Sequence, residues 1–347
     1  MLLFLCIAMK KEASYYKTLK NNTVQCQLCP RFCTINQNEM GNCRVRKNRG
    51  GKLLSLVYNK PCSIAVDPIE KKPFYHFMPG DKALSIATVG CNLHCLNCQN
   101  SEISQRNGEN ITSQEITPEQ VIETAEKEKV EIISYTYTEP TIFYEYMLDI
   151  CKLAKKKGIK NVIVSNGYIN PKPLKELCEY IDGANIDLKS TDDKFYKEIC
   201  DANLKPVLET LKILKKSNVW LEITNLLIPG KNDSEKEIKN LVKWIKTNLG
   251  KDVPLHFSAF FPTYKLLQIT PTSFETLKRA RKIALKEGMK YVYTGNLPDE
   301  EGNTTFCEKC KKPLIKRESF YILENKLNLE KGRAVCYNCK QKIPGIF

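Results

Sequence analysis

Residues 90–100, GCNLHCLNCQN, place Cys91, Cys95 and Cys98 in one short loop with the spacing C-x3-C-x2-C. Three thiolates on a 4Fe–4S cluster leave one iron without a protein ligand, and an open metal position of this kind can bind and activate a substrate. A zinc site that lacks one ligand would show the same set of cysteines, and so would a chance grouping. The loop favours one shared metal centre, because its shortness makes the three thiolates converge.

Strand and helix patterns alternate around this loop, from residue 83 to residue 295. The predicted strands are ALSIATV (83–89), IISYT (132–136), VIVS (162–165), ANIDL (184–188), VWLEIT (219–224), LHFSAF (255–260) and YVYTG (291–295). The predicted helices cover residues 117–129, 141–157, a segment that begins at Pro171 or Pro173, 192–200, 203–216, a segment capped by Asn232 or Asp233 that ends near Asn248, and 273–287. Apolar strands between helices predict an α/β fold with a parallel sheet, either an open doubly wound sheet or a partial barrel.

Polar residues concentrate just after the first four predicted strands. The groups are Cys91–Cys98, Thr136–Pro140, Ser165–Gly167 and Asp187–Lys189. Because the carboxyl ends of parallel strands meet at one edge of a sheet, and α/β proteins hold their sites there, these groups are expected to form one site.

Cysteine-rich segments flank the repeats, which predicts three parts: an N-terminal region (1–80), the repeats (81–300) and a C-terminal module (301–347). The N-terminal ligand candidates are Cys26, Cys29, Cys33 and Cys43, and the C-terminal candidates are Cys307, Cys310, Cys336 and Cys339. The C-terminal spacing is typical of a zinc ribbon, in which four thiolates close a structural site. The N-terminal spacing fits either zinc or an auxiliary 4Fe–4S cluster.

The opening stretch MLLFLCIAM lacks the basic residues and the cleavage site of a signal peptide, so we interpret it as a buried strand or as a start placed too early, with Met9 as the alternative to Met1. Without an export signal, the 16 cysteines indicate metal ligation in a reducing cytoplasm. Three others, Cys151, Cys178 and Cys200, are expected to be buried and inert. No apolar run reaches the roughly 18 residues of a membrane span.

The formal net charge of the chain is +15. A basic surface favours an acidic partner, such as a ferredoxin or a flavodoxin that donates electrons. Nothing in the charge pattern indicates binding of nucleic acid.

The cysteine loop at the end of the first strand resembles that of the radical S-adenosylmethionine (SAM) enzymes. In those enzymes the amino and carboxylate groups of SAM chelate the open iron. An electron from the reduced cluster then releases a 5′-deoxyadenosyl radical, which abstracts hydrogen. The resemblance covers roughly residues 83–295, and it implies a partial (β/α)6 barrel that binds a 4Fe–4S cluster and SAM.

Further positions resemble motifs of the same superfamily. The stretch SYTYTEPT resembles a Gly-Gly-Glu-Pro segment, which implies that Glu139 accepts a hydrogen bond from the SAM ammonium. SNG resembles the Thr-Asn-Gly of glycyl-radical activating enzymes, which implies that Ser165 and Asn166 contact SAM. DLK matches their Asp-Leu-Lys, so Asp187 and Lys189 either contact SAM or form a plain ion pair.

Three positions differ or are ambiguous. Asn97 stands where the superfamily usually has an aromatic residue near adenine, and Val164 stands where the activating enzymes tend to have Asp. His256 is either a cofactor-binding residue at the edge of the sheet or a buried structural histidine.

Over nearly the whole chain the motifs resemble the AmmeMemoRadiSam system radical SAM enzymes. The matching stretches are CQLCPRFC, GNCRVR, DPIEKKPFYHFMPG, GCNLHCLNCQNSEISQ, SYTYTEPTIFYEY and the terminal C-x2-C pair. This resemblance implies hydrogen abstraction from an unidentified substrate, with Memo or AMMECR-family proteins as partners. The alternatives are an activase for a glycyl-radical enzyme and a non-catalytic iron–sulfur electron carrier or zinc-ribbon binding module.

Overall fold

Short antiparallel strands form the N-terminal part of the chain. The computed structural model describes residues 11–110 and 114–347, so the opening stretch MLLFLCIAM and the two alternative starts lie outside the described residues. A three-stranded sheet and a hairpin are made by β1 (Tyr16–Thr18), β2 (Val24–Cys26), β3 (Thr34–Ile35), β4 (Arg46–Arg49) and β5 (Lys52–Ser55). The ends of these strands and the loops between them carry the N-terminal cysteines.

Within residues 11–110 and 114–347, eight strands form the central sheet. They are β6 (Ser63–Pro68), β7 (Lys82–Ala87), β8 (Ile132–Tyr135), β9 (Lys160–Ser165), β10 (Gly183–Asp187), β11 (Trp220–Leu227), β12 (Leu255–Ala259) and β13 (Val292–Gly295). Their order across the sheet is their order along the chain. The pairing from β7 to β13 is parallel, and β6 runs antiparallel to β7.

The central sheet confirms the predicted α/β class and all seven predicted strands. Because the strand order never reverses, the doubly wound alternative is wrong: that arrangement needs a point where the order changes direction. β6 was not predicted, since its segment is short and lies outside the β–α repeats. It adds an antiparallel strand to the sheet, and its residues precede the predicted boundary at residue 80.

Among the described residues, eight helices lie between the strands of the parallel part, as the alternating pattern predicted, and a ninth, short helix follows β13. They are α1 (Ser101–Ser104), α2 (Pro118–Lys127), α3 (Tyr144–Lys156), α4 (Pro171–Leu177), α5 (Asp193–Cys200), α6 (Leu204–Lys216), α7 (Glu235–Asn248), α8 (Phe274–Lys286) and α9 (Glu300–Asn303), with 3₁₀ turns at Ile69–Lys71, Gly108–Asn110 and Pro140–Phe143. Thr117 begins α2 with the predicted cap, in which its hydroxyl accepts from the backbone N–H of Gln120. No helix in the described ranges is long and apolar enough to cross a membrane.

The predicted cap of α7 is wrong. Ser234 caps this helix, and its hydroxyl accepts from the backbone N–H of Glu237. Asn232 and Asp233 instead accept hydrogen bonds inside the preceding turn, from the backbone N–H groups of Ile228 and Gly230. Short polar side chains stabilise a turn and a helix start equally well, so the sequence could not decide which residue does which.

The C-terminal module consists of antiparallel strands. They are β14 (Thr305–Phe306), β15 (Pro313–Glu318), β16 (Tyr321–Asn325), β17 (Leu327–Glu330) and β18 (Arg333–Cys336). Arg317 joins the module to the segment after β6: it is buried, its guanidinium donates to the backbone oxygen of Tyr75 at 2.9 Å, and it lies 3.4 Å from the carboxylate of Glu70. The backbone of Ile346 also bonds to that segment, at His76 and Met78.

The N-terminal part packs directly onto the start of the cysteine loop at Gly90. The φ angle of Gly90 is +98°, and a Cβ there would lie 2.6 Å from a methyl of Val45 and 2.8 Å from the backbone oxygen of Cys43. Only glycine fits a left-handed backbone that is this tightly packed. This contact fixes the position of Cys43 relative to the cysteines of that loop.

We expect Gly90→Ala to lower the free energy of unfolding by about 3 kcal/mol, because overpacking adds to the cost of a left-handed alanine. Gly158→Ala is the matched control, since Gly158 has a φ of +77° and no atom within 4 Å of a built Cβ. The free energy of unfolding of this control should fall by only about 1 kcal/mol. Urea denaturation of both variants measures the difference, and equal losses would contradict the proposed close packing at Gly90.

Candidate active site

A cavity of about 320 Å³ opens at the carboxyl ends of the parallel strands. Its lining includes Lys71, Lys72, Cys91, Cys95, Asn97, Cys98, Thr136, Tyr137, Thr138, Val164, Ser165, Asn166, Asp187, Lys189, Thr224, Ser258 and Asn296. The structure therefore brings together the four polar groups that follow the first four predicted strands. Thr224 within β11, Ser258 near the end of β12 and Asn296 just after β13 line the same cavity, and the sequence analysis did not single them out.

The three cysteines of the loop are half-buried and face this cavity. Burial, followed by the nearby carboxylate of Glu139, raises the pKa of Cys91 well above its ordinary value. Burial also raises the pKa of Cys98, although the hydroxyl of Ser104 lies 3.1 Å from its sulfur. Metal binding would release these protons, since the thiolate is the ligand.

The spacing of the three thiols suits a cluster better than one ion. Within the described part of the chain, only Cys307, Cys310, Cys336 and Cys339 bring at least three metal-ligand atoms within 4.8 Å of one another. Sulfurs around a single zinc must lie that close, because each Zn–S bond is about 2.3 Å long. A four-iron cube holds its cysteine sulfurs further apart, so the loop at residues 91–98 fits a 4Fe–4S cluster.

Cys200 lies beside the loop, where it was predicted to be an inert buried thiol. It is buried, but its hydrogen bond to Cys95 is the main cause that lowers the pKa of Cys95. The backbone holds this contact in place, because the N–H groups of His94 and Leu96 donate to the carbonyl oxygens of Cys200 and Ile199. Hydrogen bonds to ligand sulfurs tune the potential of an iron–sulfur cluster.

Glu139 lies behind the cavity wall, with an exposed fraction of 1%. One carboxylate oxygen accepts from the backbone N–H and the hydroxyl of Thr141 and from the hydroxyl of Ser165, at 2.7–2.9 Å. The other accepts from the backbone N–H of Asn166 at 2.8 Å. Burial raises the pKa of Glu139, and these bonds oppose that effect. In this structure the carboxylate orients Ser165 and Asn166, while its expected bond to the SAM ammonium stays a prediction.

Asn166 connects two strand ends. Its side-chain nitrogen donates to the side-chain oxygen of Asn92 at 3.0 Å, and it lies 3.7 Å from the sulfur of Cys91. Its side-chain oxygen accepts from the backbone N–H of Tyr168 at 2.8 Å. An amide that is fixed in this way presents a donor directly beside a cysteine ligand.

Asp187 and Lys189 form the ion pair that the sequence left as an alternative, at 2.8 Å between Nζ and the carboxylate. Burial alone would lower the pKa of Lys189, but Asp187, followed by the sulfurs of Cys95 and Cys200, raises it well above the ordinary value. Lys189 is therefore a charged donor in the wall of the cavity.

The structure places His256 away from the cavity. Its Nε2 lies 2.7 Å from the carboxylate of Glu222, both side chains are buried, and its ring packs against that of Tyr75 at 4.9 Å. Of the two alternatives for His256, this position matches the buried structural histidine.

A cluster of two lysines on one wall was not predicted as part of the site. The ammonium groups of Lys71 and Lys72 lie 2.7 and 2.8 Å from the carboxylate of Asp67, which also accepts from the hydroxyl of Tyr137. Lys72 is buried, and its ammonium lies 4.0 Å from the centre of the Tyr137 ring. The stretch DPIEKKPFYHFMPG contains both lysines. Because β6 was not predicted, the sequence analysis had no reason to expect this stretch near the strand ends.

The stretch SYTYTEPT resembles a Gly-Gly-Glu-Pro segment, and Tyr137 stands at the position of one of its glycines. The φ angle of Tyr137 is +63°. A left-handed tyrosine costs about 1–3 kcal/mol, which its surroundings must offset. The bond from its hydroxyl to Asp67 and the contact of its ring with Lys72 provide this stabilisation.

Burial lowers the pKa of Lys72 from 10.5 to about 8 despite Asp67. In the unfolded chain Lys72 would hold its proton up to its ordinary pKa, so between about pH 8 and 10.5 the unfolded state binds more protons. The contribution of Lys72 to stability should therefore rise by about 3 kcal/mol across this window. Urea denaturation of the native protein and of Lys72→Met measures this difference at each pH.

Lys71→Met is the control for that experiment, because it removes the other lysine on Asp67 and should leave the pH dependence in place. A difference between the native protein and Lys72→Met that does not change from pH 8 to pH 10.5 would contradict the lowered pKa.

Comparison with known families agrees with this site. Residues 85–245, which include the cysteine loop and the strand ends up to β11, match the family described as "Radical SAM superfamily". The chain therefore contains a radical SAM superfamily domain, which indicates an enzyme of the radical SAM type.

Over nearly its full length the chain is similar to the uncharacterized protein MJ0808 of Methanocaldococcus jannaschii, with 46% identity over 96% of this chain and 98% of the relative. It is also similar to the pyruvate formate-lyase 1-activating enzyme of Escherichia coli strain K12, with 24% identity over 59% of this chain and 89% of that enzyme. Among solved structures, Streptococcus suis SuiB bound to S-adenosylmethionine has a TM-score of 0.50 and 16% identity, and the match covers 66% of this chain and 53% of SuiB. This structural likeness shows the fold alone.

Proposed function

We propose that this protein cleaves SAM reductively and uses the resulting 5′-deoxyadenosyl radical to abstract hydrogen from a substrate of a Memo-linked system. The observation that carries the proposal is the shared cavity: three cysteines with one open metal position face the same space as the fixed amide of Asn166 and the ammonium of Lys189. A reduced 4Fe–4S cluster on these cysteines would supply the electron that splits SAM into methionine and the radical.

The side chains around the cluster position suit the polar end of SAM. Ser165 and Asn166 are held by Glu139, so their hydrogen-bonding groups are oriented before a ligand binds. Lys189 and Lys72 supply positive charge on two walls of the cavity, which favours carboxylate and other acidic groups. The later strands and the residue after β13 offer hydroxyls and an amide at Thr224, Ser258 and Asn296 for the rest of the ligand.

The cavity supports an enzyme over a non-catalytic protein. An iron–sulfur electron carrier or a zinc-ribbon binding module needs no cavity of this size beside its metal, so we reject the non-catalytic alternative.

The activase alternative is supported by similarity to the pyruvate formate-lyase 1-activating enzyme. The two flanking cysteine modules favour the Memo-linked substrate, since a minimal activase needs neither. A glycyl-radical enzyme encoded nearby would favour activation instead.

The proposed reaction leads to an expectation about the shape of the central sheet. We propose that the central sheet curves into a partial barrel around the cavity, because strands in chain order with right-handed crossovers place all helices on one face.

The net charge of +15 supports an acidic electron donor, a ferredoxin or a flavodoxin, in the cytoplasm. Memo or AMMECR-family proteins are the proposed partners.

Cys95→Ala should abolish formation of 5′-deoxyadenosine from SAM in the reconstituted, dithionite-reduced protein, because the cluster loses one of its three ligands. Cys178→Ala removes a half-buried thiol outside the site and should leave activity unchanged. Chromatography of the anaerobic reaction measures the product. Cleavage by Cys95→Ala at the native rate would eliminate the proposal.

We further propose that the C-terminal cysteines bind zinc. The sulfurs of Cys307 and Cys339 lie 3.6 Å apart, as do those of Cys310 and Cys336. A tetrahedron with Zn–S bonds of about 2.3 Å has edges of about 3.8 Å, and a disulfide would be near 2 Å. The two knuckles are also alike, because Lys311 and Lys340 follow them with φ angles of 60° and 59°.

Cys336→Ser should release about one zinc per chain and lower the melting temperature, because four thiolates close a structural site that contributes folding energy. Metal analysis by mass spectrometry after anaerobic purification gives the zinc content. Cys151→Ser, at another buried cysteine, is the control and should keep its zinc. A variant that keeps only these four cysteines as candidate metal ligands should bind zinc. If it bound iron instead, the zinc assignment would be contradicted.

A further inference from the structure

The four N-terminal cysteines line a void of their own. Cys26 ends β2, Cys29 and Cys33 lie in the turn to β3, and Cys43 precedes β4. This void has a volume of about 20 Å³. A zinc ion bonded to all four sulfurs at about 2.3 Å would leave no such room, so the void suits a compact inorganic cluster.

The sulfur positions lead to the same conclusion. No three of Cys26, Cys29, Cys33 and Cys43 bring their sulfurs within 4.8 Å of one another, although the four C-terminal cysteines do. The same chain thus contains one four-cysteine set at the spacing of a single ion and one at a wider spacing. Cys91, Cys95 and Cys98 also do not bring their three sulfurs within 4.8 Å of one another.

The surroundings of the void suit a buried negative group. Arg46 has an exposed fraction of 1%, and its Nη1 lies 3.4 Å from the sulfur of Cys26. The guanidinium is paired with the buried carboxylate of Glu145, but its Nε has no hydrogen-bond partner. The backbone N–H of Asn42 also donates to the sulfur of Cys33 at 3.4 Å. Donors aimed at cysteine sulfurs are the usual surroundings of an iron–sulfur cluster.

The void shares a wall with the active site. Asn92 lines the void and directly follows Cys91, and its side-chain oxygen accepts from Asn166 at 3.0 Å. The backbone oxygen of Asn92 accepts from Arg31, another lining residue, at 2.9 Å. The close contact of Gly90 with Cys43 joins the two cysteine sets on another side.

We infer that Cys26, Cys29, Cys33 and Cys43 bind a second 4Fe–4S cluster, next to the active-site cysteines, and that they do not bind zinc. Four protein ligands leave no open iron, so this cluster binds no substrate and is distinct from the active-site centre. The inference rests on the geometry of the void and holds whether or not the protein cleaves SAM.

The test removes the active-site ligands and counts what is left. A variant with Cys91→Ala, Cys95→Ala and Cys98→Ala, reconstituted anaerobically with iron and sulfide, should keep about four iron and four sulfide per chain. The native protein should hold about twice that amount. Mössbauer spectroscopy of the variant should show one 4Fe–4S cluster. A triple variant without iron, or with a second zinc in place of iron, would overturn the inference.

Two substitutions in the triple-variant background assign the remaining iron. Adding Cys29→Ser should release most of the iron, because it removes a ligand of the proposed cluster. Adding Cys178→Ser, at another half-buried thiol, should not. Iron that survives Cys29→Ser would refute the ligand set, and circular dichroism checks that both variants are folded.

The same counts separate this inference from the proposed function. If the native protein and the triple variant both hold about four iron per chain, the second cluster is present and the active-site cluster is absent, which defeats the SAM proposal alone. If the native protein cleaves SAM and the triple variant has no iron, the proposed function stands and this inference fails.

Discussion

The buried carboxylate of Glu139 ties the ends of two neighbouring strands together, and the arrangement of the site depends on it. It follows β8 and accepts hydrogen bonds from Ser165 and Asn166 at the end of β9. Asn166 in turn bonds to Asn92 in the cysteine loop after β7. Three consecutive strand ends are thereby connected through one charge-assisted set of bonds. A carboxylate buried without these donors would be costly, so the carboxylate and its donors stabilise one another.

Much of the fold could be predicted from periodicity, because apolar strands and amphipathic helices of the repeats leave strong local patterns. All seven parallel strands were found in this way. β6 was not, since six residues that include Asp67 and a terminal Pro68 show no clear alternation, and its place in the sheet depends on long-range pairing with β7. The cap of α7 was misassigned for a similar reason: the choice among Asn232, Asp233 and Ser234 depends on the turn before them.

The candidate site was predictable to the extent that it follows from strand order. Residues at successive strand ends had to meet, and they do. What could not be read was which way each side chain faces: Glu139 turns behind the wall, and His256 bonds to Glu222 in the interior. Lys72 reaches the cavity only through the unpredicted strand. The distances between the sulfurs of each cysteine set likewise cannot be predicted from the sequence spacing, since they depend on how the backbone between the cysteines folds.

The bond between Arg317 and the segment after β6 has a consequence for the evolution of this architecture. Glu70 and Arg317 are both fully buried, and the 3₁₀ turn that holds Glu70 continues into the lysines of the cavity wall. Removing one partner of a buried pair leaves an uncompensated charge, which typically costs about 3–5 kcal/mol. Discarding or exchanging the C-terminal module in one step would carry this cost, so the module and this turn are expected to be inherited together.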